Sequence, residues 1–390
     1  MKILLYIPKE IDSVDIYHDM TDGLITHIGH NAEVVKTSQR PIFSKQKKKS
    51  DADNAPLSVN DFDLVHVFGC WNRTASSILL KAGRHGVPTV FSPLGGLQPW
   101  VIRKHKADRA SMYRAVAAAS AIHVCGTLEL TTFQALDWNK KTAVIKNPIL
   151  TRAVTMEQMA ADMCRLYQKV LDSNVNMLID DEVEDAIGYL LLAGLDGEAL
   201  RNKERKKNIL EALHSLTPAQ WRLISIYAHD EQIADRINAG ISRLQYDAPH
   251  TDVESLERFP VTLKLKDGPL ETNKLLAKSP LLRTKLNEVV TEKYPIERQL
   301  CIMFLNIRSE LHQRSMPMRH LADIYDKIKS NNYDEDKLKD ILRQMDILPF
   351  ASRIVFILHD VIGLTEGFMP FEGKDDKTTD KIRTNITHLK

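Results

Sequence analysis

The sequence predicts an α/β fold, with an N-terminal Rossmann-like parallel sheet over residues 1–150 followed by a mostly α-helical C-terminal region. Three observations carry that expectation. Six short, nearly continuous apolar runs fall within the first 147 residues, with helical stretches between them. Runs without polar alternation belong to strands covered on both faces, as in parallel sheets wound with helices. Beyond Pro148 the pattern turns to apolar residues at i, i+3 and i+4. The hydrophobic fraction of 43% and charged fraction of 27% are ordinary for a globular chain and exclude wholesale disorder.

The strands are expected in the order MKILLYI (1–7), AEVVKT (32–37), DLVHVFG (63–69), VPTVFSP (87–93), AIHVCG (121–126) and TAVIKN (142–147). TASSILLKAGRHG (74–86) and DRASMYRAVAAAS (108–120) read as helices between them, and the lysine-rich stretch 42–61 as a surface loop. Helical periodicity then runs through 157–174, 181–195, 218–244, 296–314, 318–330, 334–346 and 351–363. The organisation expected is a Rossmann-like domain over 1–150, a helical domain over 151–246 and a proline-rich connection over 247–295. A helical bundle over 296–371 and a charged tail over 372–390, partly disordered or loosely docked, complete it.

With 53 Lys and Arg against 51 Asp and Glu, the net charge is +2, which gives no global signature of nucleic-acid binding. The four cysteines (Cys70, Cys125, Cys164, Cys301) contain no CxxC pair and read as reduced thiols. No apolar run reaches the roughly 20 residues of a membrane span, and the first strand opens at the N-terminus, so a soluble, cytoplasmic protein without a signal peptide is expected.

Ligands of doubly wound sheets sit beyond the carboxyl ends of the strands. The segments His66–Asn72 and Ser92–Trp100 follow strands and fall at that edge. Gly95 and Gly96 allow close backbone approach to a sugar or phosphate, or simply serve a tight turn. Trp71 and Trp100 offer flat faces for a sugar ring, or pack under the loop. Asn72 and Gln98 offer hydrogen bonds. Together the loops 69–73 and 93–100 are expected to line the principal pocket. Arg103, Lys104, His105, Lys106, Arg109 and Arg114 form a basic stretch that suits a phosphorylated lipid carrier, an anionic membrane surface or plain solvent.

Residues 62–106, 117–130 and 144–149 resemble, in order and spacing, the acceptor-side half of family 4 glycosyltransferases, retaining enzymes of the two-domain GT-B fold. The resemblance implies a hexosyltransferase-type protein that moves a sugar from a nucleotide-sugar donor to a glycan or lipid-linked acceptor in surface polysaccharide synthesis. Peripheral membrane contact is among the partners it allows; no nucleic acid, metal or further cofactor is expected. It marks His66, Trp71, Asn72, Gly95, Gly96, Gln98, Trp100, Arg103 and Glu129 as substrate-binding candidates and leaves the catalytic residues unassigned. Two departures qualify it. Leu94 stands where the family often carries a histidine near the reacting sugar. Residues 151–390 hold no strand–glycine loop–helix unit with an E-x7-E motif for the donor nucleotide. A non-catalytic glycan-binding or complex-forming subunit that kept the fold and lost the donor site therefore stands as the alternative.

The stretch 318–358 is faintly similar to accessory helices of minimal nucleotidyltransferases, but the Gly-Ser turn that precedes their metal-binding Asp-x-Asp is absent from the sequence. Arg314-x5-His320 has a spacing used by some helical ribonucleases and is interrupted by Pro317. His229-Asp230, His320 with Asp323, and His359-Asp360 invite a metal reading, yet adjacent helical residues point about 100° apart and rarely share an ion. The cysteine reading has a direct check. Titrating the denatured chain with a thiol reagent in the absence of reductant is expected to give four free thiols; two or fewer would overturn it.

Overall fold

The computed structural model describes residues 1–29, 32–43, 57–260, 280, 281, 284, 296–311 and 318–386. Six strands, β1 (Lys2–Tyr6), β2 (Glu33–Thr37), β3 (Leu64–Phe68), β4 (Thr89–Ser92), β5 (Ala121–Val124) and β6 (Thr142–Val144), form one sheet in the order β2-β1-β3-β4-β5-β6. Every pairing is parallel, with Leu4 opposite Val65, Val65 opposite Thr89, Val90 opposite Ala121 and Ile122 opposite Thr142. Each expected apolar run is thus a strand.

Helices α1 (Lys9–Asp12) and α2 (Asp15–Ile28) join β1 to β2, and α3 (Arg73–Ala82) joins β3 to β4. Helices α4 (Pro99–Lys104) and α5 (Arg109–Ala118) join β4 to β5, α6 (Thr127–Leu136) joins β5 to β6, and α7 (Met156–Asp172) follows. Successive strand residues point to opposite faces. On one face Leu4, Val65, Val67, Phe91 and Ile122 pack with Ile78, Met112 and Phe133 of α3, α5 and α6. On the other, Ile3, Leu5, Leu64, Phe68 and Val90 pack with Met20 and Leu24 of α2 and Met163, Leu166 and Val170 of α7.

Three strands carry a polar residue toward that second face, and all three are buried: His66, Ser92 and His123. His66 Nδ1 lies 2.7 Å from the Tyr167 hydroxyl and its Nε2 2.7 Å from Ser92 Oγ. Ser92 Oγ is 2.7 Å from His123 Nδ1, and His123 Nε2 is 3.0 Å from the Ile145 carbonyl. The proton positions follow from the last link. A carbonyl only accepts, so His123 carries its proton on Nε2, and its bare Nδ1 accepts from Ser92. Ser92 in turn accepts from His66 Nε2–H, leaving His66 Nδ1 to accept from Tyr167. Burial pushes His66 well below the ordinary imidazole range, helped by His123 beside it, and lowers His123 to about 4. Both rings are neutral.

The first compact unit is Met1–Leu178 with Ser255–Val261, so it extends past the boundary expected near residue 150. The reason is α7. Its Thr155–Gln158 capping box fixes the start, and its apolar stripe (Met159, Met163, Leu166, Tyr167, Val170) covers the sheet rather than other helices. The chain later returns: Phe259 joins this core, its N–H donates to Ser173 Oγ at 2.8 Å, and Arg258 donates to the Asp172 carbonyl at 2.9 Å. The described start of the expected 247–295 connection therefore belongs partly to this unit; 261–279, 282, 283 and 285–295 lie outside the described residues.

The second unit, Ile179–Glu254 with Thr262–Lys390, is helical at its described elements. A short α8 (Val175–Leu178) closes the first unit; α9 (Asp181–Leu195), α10 (Lys203–Ser215), α11 (Pro218–Asp230) and α12 (Ala234–Leu244) open the second. The expected helix over 218–244 breaks at Gln232, whose φ is 57°. A Cβ on Gly194 or Gly240 would overlap a backbone carbonyl of the opposite helix, so α9 and α12 cross in direct backbone contact. Helices Ile296–Glu310, Met318–Lys329, Glu335–Gln344 and Leu348–Ile357 follow. Over its described residues the tail is docked, where a partly disordered or loosely docked one was expected. Arg353 grips Asp376 through Nε and Nη2 at 2.9 and 2.7 Å, Asp376 caps the helix Lys377–Arg383, and Ile382 and Ile386 are buried.

The neutral histidine pair sets a pH dependence. Both folded-state pKa values lie below the unfolded value of about 6.5, so their contribution is fully present above that pH and is lost as pH falls toward about 4. The urea midpoint is expected to drop steeply between about pH 6.5 and 4, at up to about 1.4 kcal/mol per pH unit for each histidine. A flat midpoint across that window would contradict neutral burial.

Candidate functional site

In a parallel sheet of this order the chain reverses direction between β1 and β3, and their carboxyl ends frame the usual crevice. Here the crevice holds the chain's own side chain. Gly69, at φ 78°, directly follows β3, and a Cβ on it would lie 2.7 Å from Ile11 of α1. Only a residue that tolerates positive φ and lacks a side chain seats Ile11 there.

Beside it, Glu129 of α6 ties two loops together. One carboxylate oxygen accepts from the Gly95 N–H at 2.7 Å, the other from the Cys125 N–H at 2.8 Å. Leu94 and Gly95 both take positive φ (50° and 76°), and the Leu94 carbonyl accepts from the Tyr17 hydroxyl at 3.3 Å. Burial, reinforced by Glu129, raises both nearby thiols, Cys70 strongly and Cys125 to about 12. They stay protonated at neutral pH and are not nucleophiles. All four cysteines are free.

Most candidate residues carry an intramolecular task. His66 lies in the buried proton chain and does not reach the edge. Trp71 donates its indole N–H to the Gly96 carbonyl at 2.7 Å, and its ring stacks on His105 with centroids 4.6 Å apart and planes 7° apart. Asn72 caps α3, accepting from the Thr74 and Ala75 N–H groups at 2.9 and 3.0 Å. A Cβ on Gly96 would meet the Cys70 side chain at 2.7 Å, so that glycine serves loop packing. Gln98 is buried and accepts from the Thr132 hydroxyl at 3.1 Å. Both Glu129 oxygens are committed to backbone. Trp100 and Arg103 remain exposed, and a Cβ on Gly95 would meet nothing.

A depression of about 350 Å³ opens beside loop 69–73, between α3 and α5. Trp71, Asn72, Arg73, Ser76, Ser77, Lys81, Asp108 and Ser111 give it its character. The loop 69–73 borders this depression and 93–100 does not, where the two were expected to line one pocket together. The serines, Lys81 and Asp108 escaped sequence reading because they lie on helix faces whose polar residues read as ordinary solvated surface. Ser92, His123 and Tyr167 escaped it too, although a lone polar residue at matching positions in three apolar strands was a visible signal.

In the second unit, His320 pairs with Glu310 at 3.0 Å rather than with Asp323, and Asp360 pairs with Arg383. His359 faces the Leu364 carbonyl at 2.8 Å, and Arg314 lies outside the described residues. Among the described residues no group of three or more His, Cys, Asp or Glu side chains is arranged to hold a metal, and no helix is long and apolar enough to cross a membrane. No protein-family model, curated protein or solved structure matches the chain.

The Glu129 clamp is testable by a one-atom change. Glu129→Gln replaces one acceptor by an NH2 group facing a backbone N–H, and is expected to cost about 1–3 kcal/mol in equilibrium urea unfolding. Gly95→Ala, strained at positive φ but sterically open, is expected to cost about 1 kcal/mol. Neutral effects at both positions would remove the clamp from the account.

Proposed function

We propose that this chain is a non-catalytic glycan-binding subunit on a glycosyltransferase-like acceptor domain, serving surface polysaccharide synthesis in the cytoplasm. The observation that carries the reading is the depression beside Trp71. Sugars present hydroxyls around a ring with apolar C–H faces, and recognition calls for an aromatic plane beside short polar side chains. Trp71 supplies the plane, held still by the Gly96 bond on its edge and His105 on one face. Ser76, Ser77 and Ser111 supply hydroxyls that both donate and accept, Asp108 accepts, and Arg73 and Lys81 donate.

Three further features favour binding over transfer. Leu94 has no proton to give or take, the neighbouring thiols are protonated, and the second unit is built of helices at its described elements where the resemblance calls for a second sheet. The glycans in question are an oligosaccharide or a lipid-linked sugar, and the free thiols accord with a reducing compartment.

Isothermal titration calorimetry against a panel of oligosaccharides and of nucleotide sugars distinguishes the readings. The expected result is binding to one or more oligosaccharides, abolished by Ser111→Leu, which fills the depression from a half-exposed helix position. Binding of a nucleotide sugar with turnover would install the active transferase instead. Oligosaccharide binding untouched by Ser111→Leu would move the site elsewhere.

A further inference from the structure

The depression beside Trp71 is not electrically balanced. Its lining holds the cations Arg73 and Lys81 against a single carboxylate, Asp108. The carboxylate has a local use: it immediately precedes α5, where the aligned N–H groups of the first turn favour a negative charge. The cations have no such use. Arg73 is the first residue of α3, whose opening turn carries no acidic side chain, so a guanidinium stands where the helix dipole disfavours it. Lys81 Nζ lies 5.7 Å from the centre of the Phe43 ring. Neither cation forms an ion pair or a side-chain hydrogen bond among the described residues, whereas Lys36 at the β2 edge is gripped by Asp12 and Asp22 at 2.7 and 2.6 Å. Both side chains are exposed and border the cavity that the serines share.

We infer, resting on the glycan-binding function proposed for this depression, that the glycan it takes is acidic: a saccharide bearing uronic-acid carboxylates, selected over neutral sugars by Arg73 and Lys81. Serine hydroxyls and an indole plane suit any pyranose, because hydroxyls and apolar C–H faces are common to all of them. Charge separates one class from the rest. A guanidinium meets a carboxylate through two parallel N–H···O bonds, and hydrogen bonds to an ionised partner are about twice as strong as neutral ones. A phosphate ester would satisfy one arginine equally well, but two features favour carboxylates. Arg73, Ser77 and Lys81 recur at four-residue intervals along α3 and so stand in one row. At the rise of a helix, about 12 Å separates the first Cα from the last, which suits separate singly charged groups along a saccharide chain. A phosphate monoester concentrates a charge of about −2 at one point, and Asp108 on the same lining repels it more than it repels a monoanion.

The test is isothermal titration calorimetry of the full chain, at low and high salt. The probes are oligouronates of the galacturonate, glucuronate and mannuronate series, the methyl ester of each, and galactose 1-phosphate. Esterification keeps every ring and hydroxyl and removes the charge. The expected result is binding of at least one oligouronate, with its ester weaker by about tenfold or more and the difference narrowing at high salt. Arg73→Gln is expected to weaken the acid by about tenfold and the ester by much less, and Lys81→Gln to act in the same direction. Both side chains are exposed, so an unchanged melting temperature is the accompanying control. Equal affinity for acid and ester, both lost in Ser111→Leu, would overturn the inference and leave the glycan function standing; absence of binding by any saccharide would overturn both. Tighter binding of galactose 1-phosphate than of every oligouronate, or equal losses for acid and ester in Arg73→Gln, would overturn the assignment of carboxylates to these cations.

Discussion

Two imidazoles with no access to water constrain the first unit more tightly than any apolar contact in it. An apolar side chain tolerates a rotated neighbour; a buried histidine requires a partner for each nitrogen, with the right proton on each. The file from Tyr167 through His66, Ser92 and His123 to the Ile145 carbonyl satisfies every member in one direction only. It spans three strands and reaches the backbone beside a fourth. A one-residue slip of β4 or β5 would turn Ser92 or His123 to the opposite face and strand both rings. The same file holds α7 in place, because Tyr167 sits mid-helix and its hydroxyl reaches only one ring.

Polar groups at the carboxyl edge follow a related logic. Loops that leave a parallel sheet expose backbone N–H groups at close quarters, and these need acceptors before any ligand does. Glu129 satisfies two of them, Asn72 two more, and Trp71 gives its own N–H to the Gly96 carbonyl. The residue types that suggested ligand contacts are the same ones that finish tight turns. Their presence in sequence does not separate the two uses; their geometry does. What remains outward is a hydroxyl-lined depression on the helix side, and exposed cations and apolar side chains on the segments after β4.

The strands were legible because an uninterrupted apolar run bounded by turn residues has few other solutions. LLY, LVHVF, TVFS and AIHV pair in parallel as their composition implies. The end of the first unit was not legible, and the reason is physical. The stripe of α7 has the same period whether it packs on a sheet or on other helices, so periodicity is silent about the partner. Phe259 gave still less warning, since one aromatic in an irregular stretch carries no period at all. Gln232 broke an otherwise continuous helical pattern without a proline or glycine to announce it. The tail misled by composition: its charges looked solvated, but Asp376 and Arg353 spend theirs on each other.

The return of Ser255–Val261 to the first unit has a consequence for how the protein is made. A ribosome delivers the chain from its N-terminus, and a domain contiguous in sequence is free to complete itself while the remainder is still being translated. Here the sheet, α2 and α7 emerge early, but Phe259, whose ring lies 4.8 Å from the Lys169 ammonium, arrives only after α9 to α12 have been synthesised. Until then the flank of α7 that Phe259 covers is open to water and to other nascent chains. Completion of the first unit is therefore coupled in time to the emergence of helices that belong to the second.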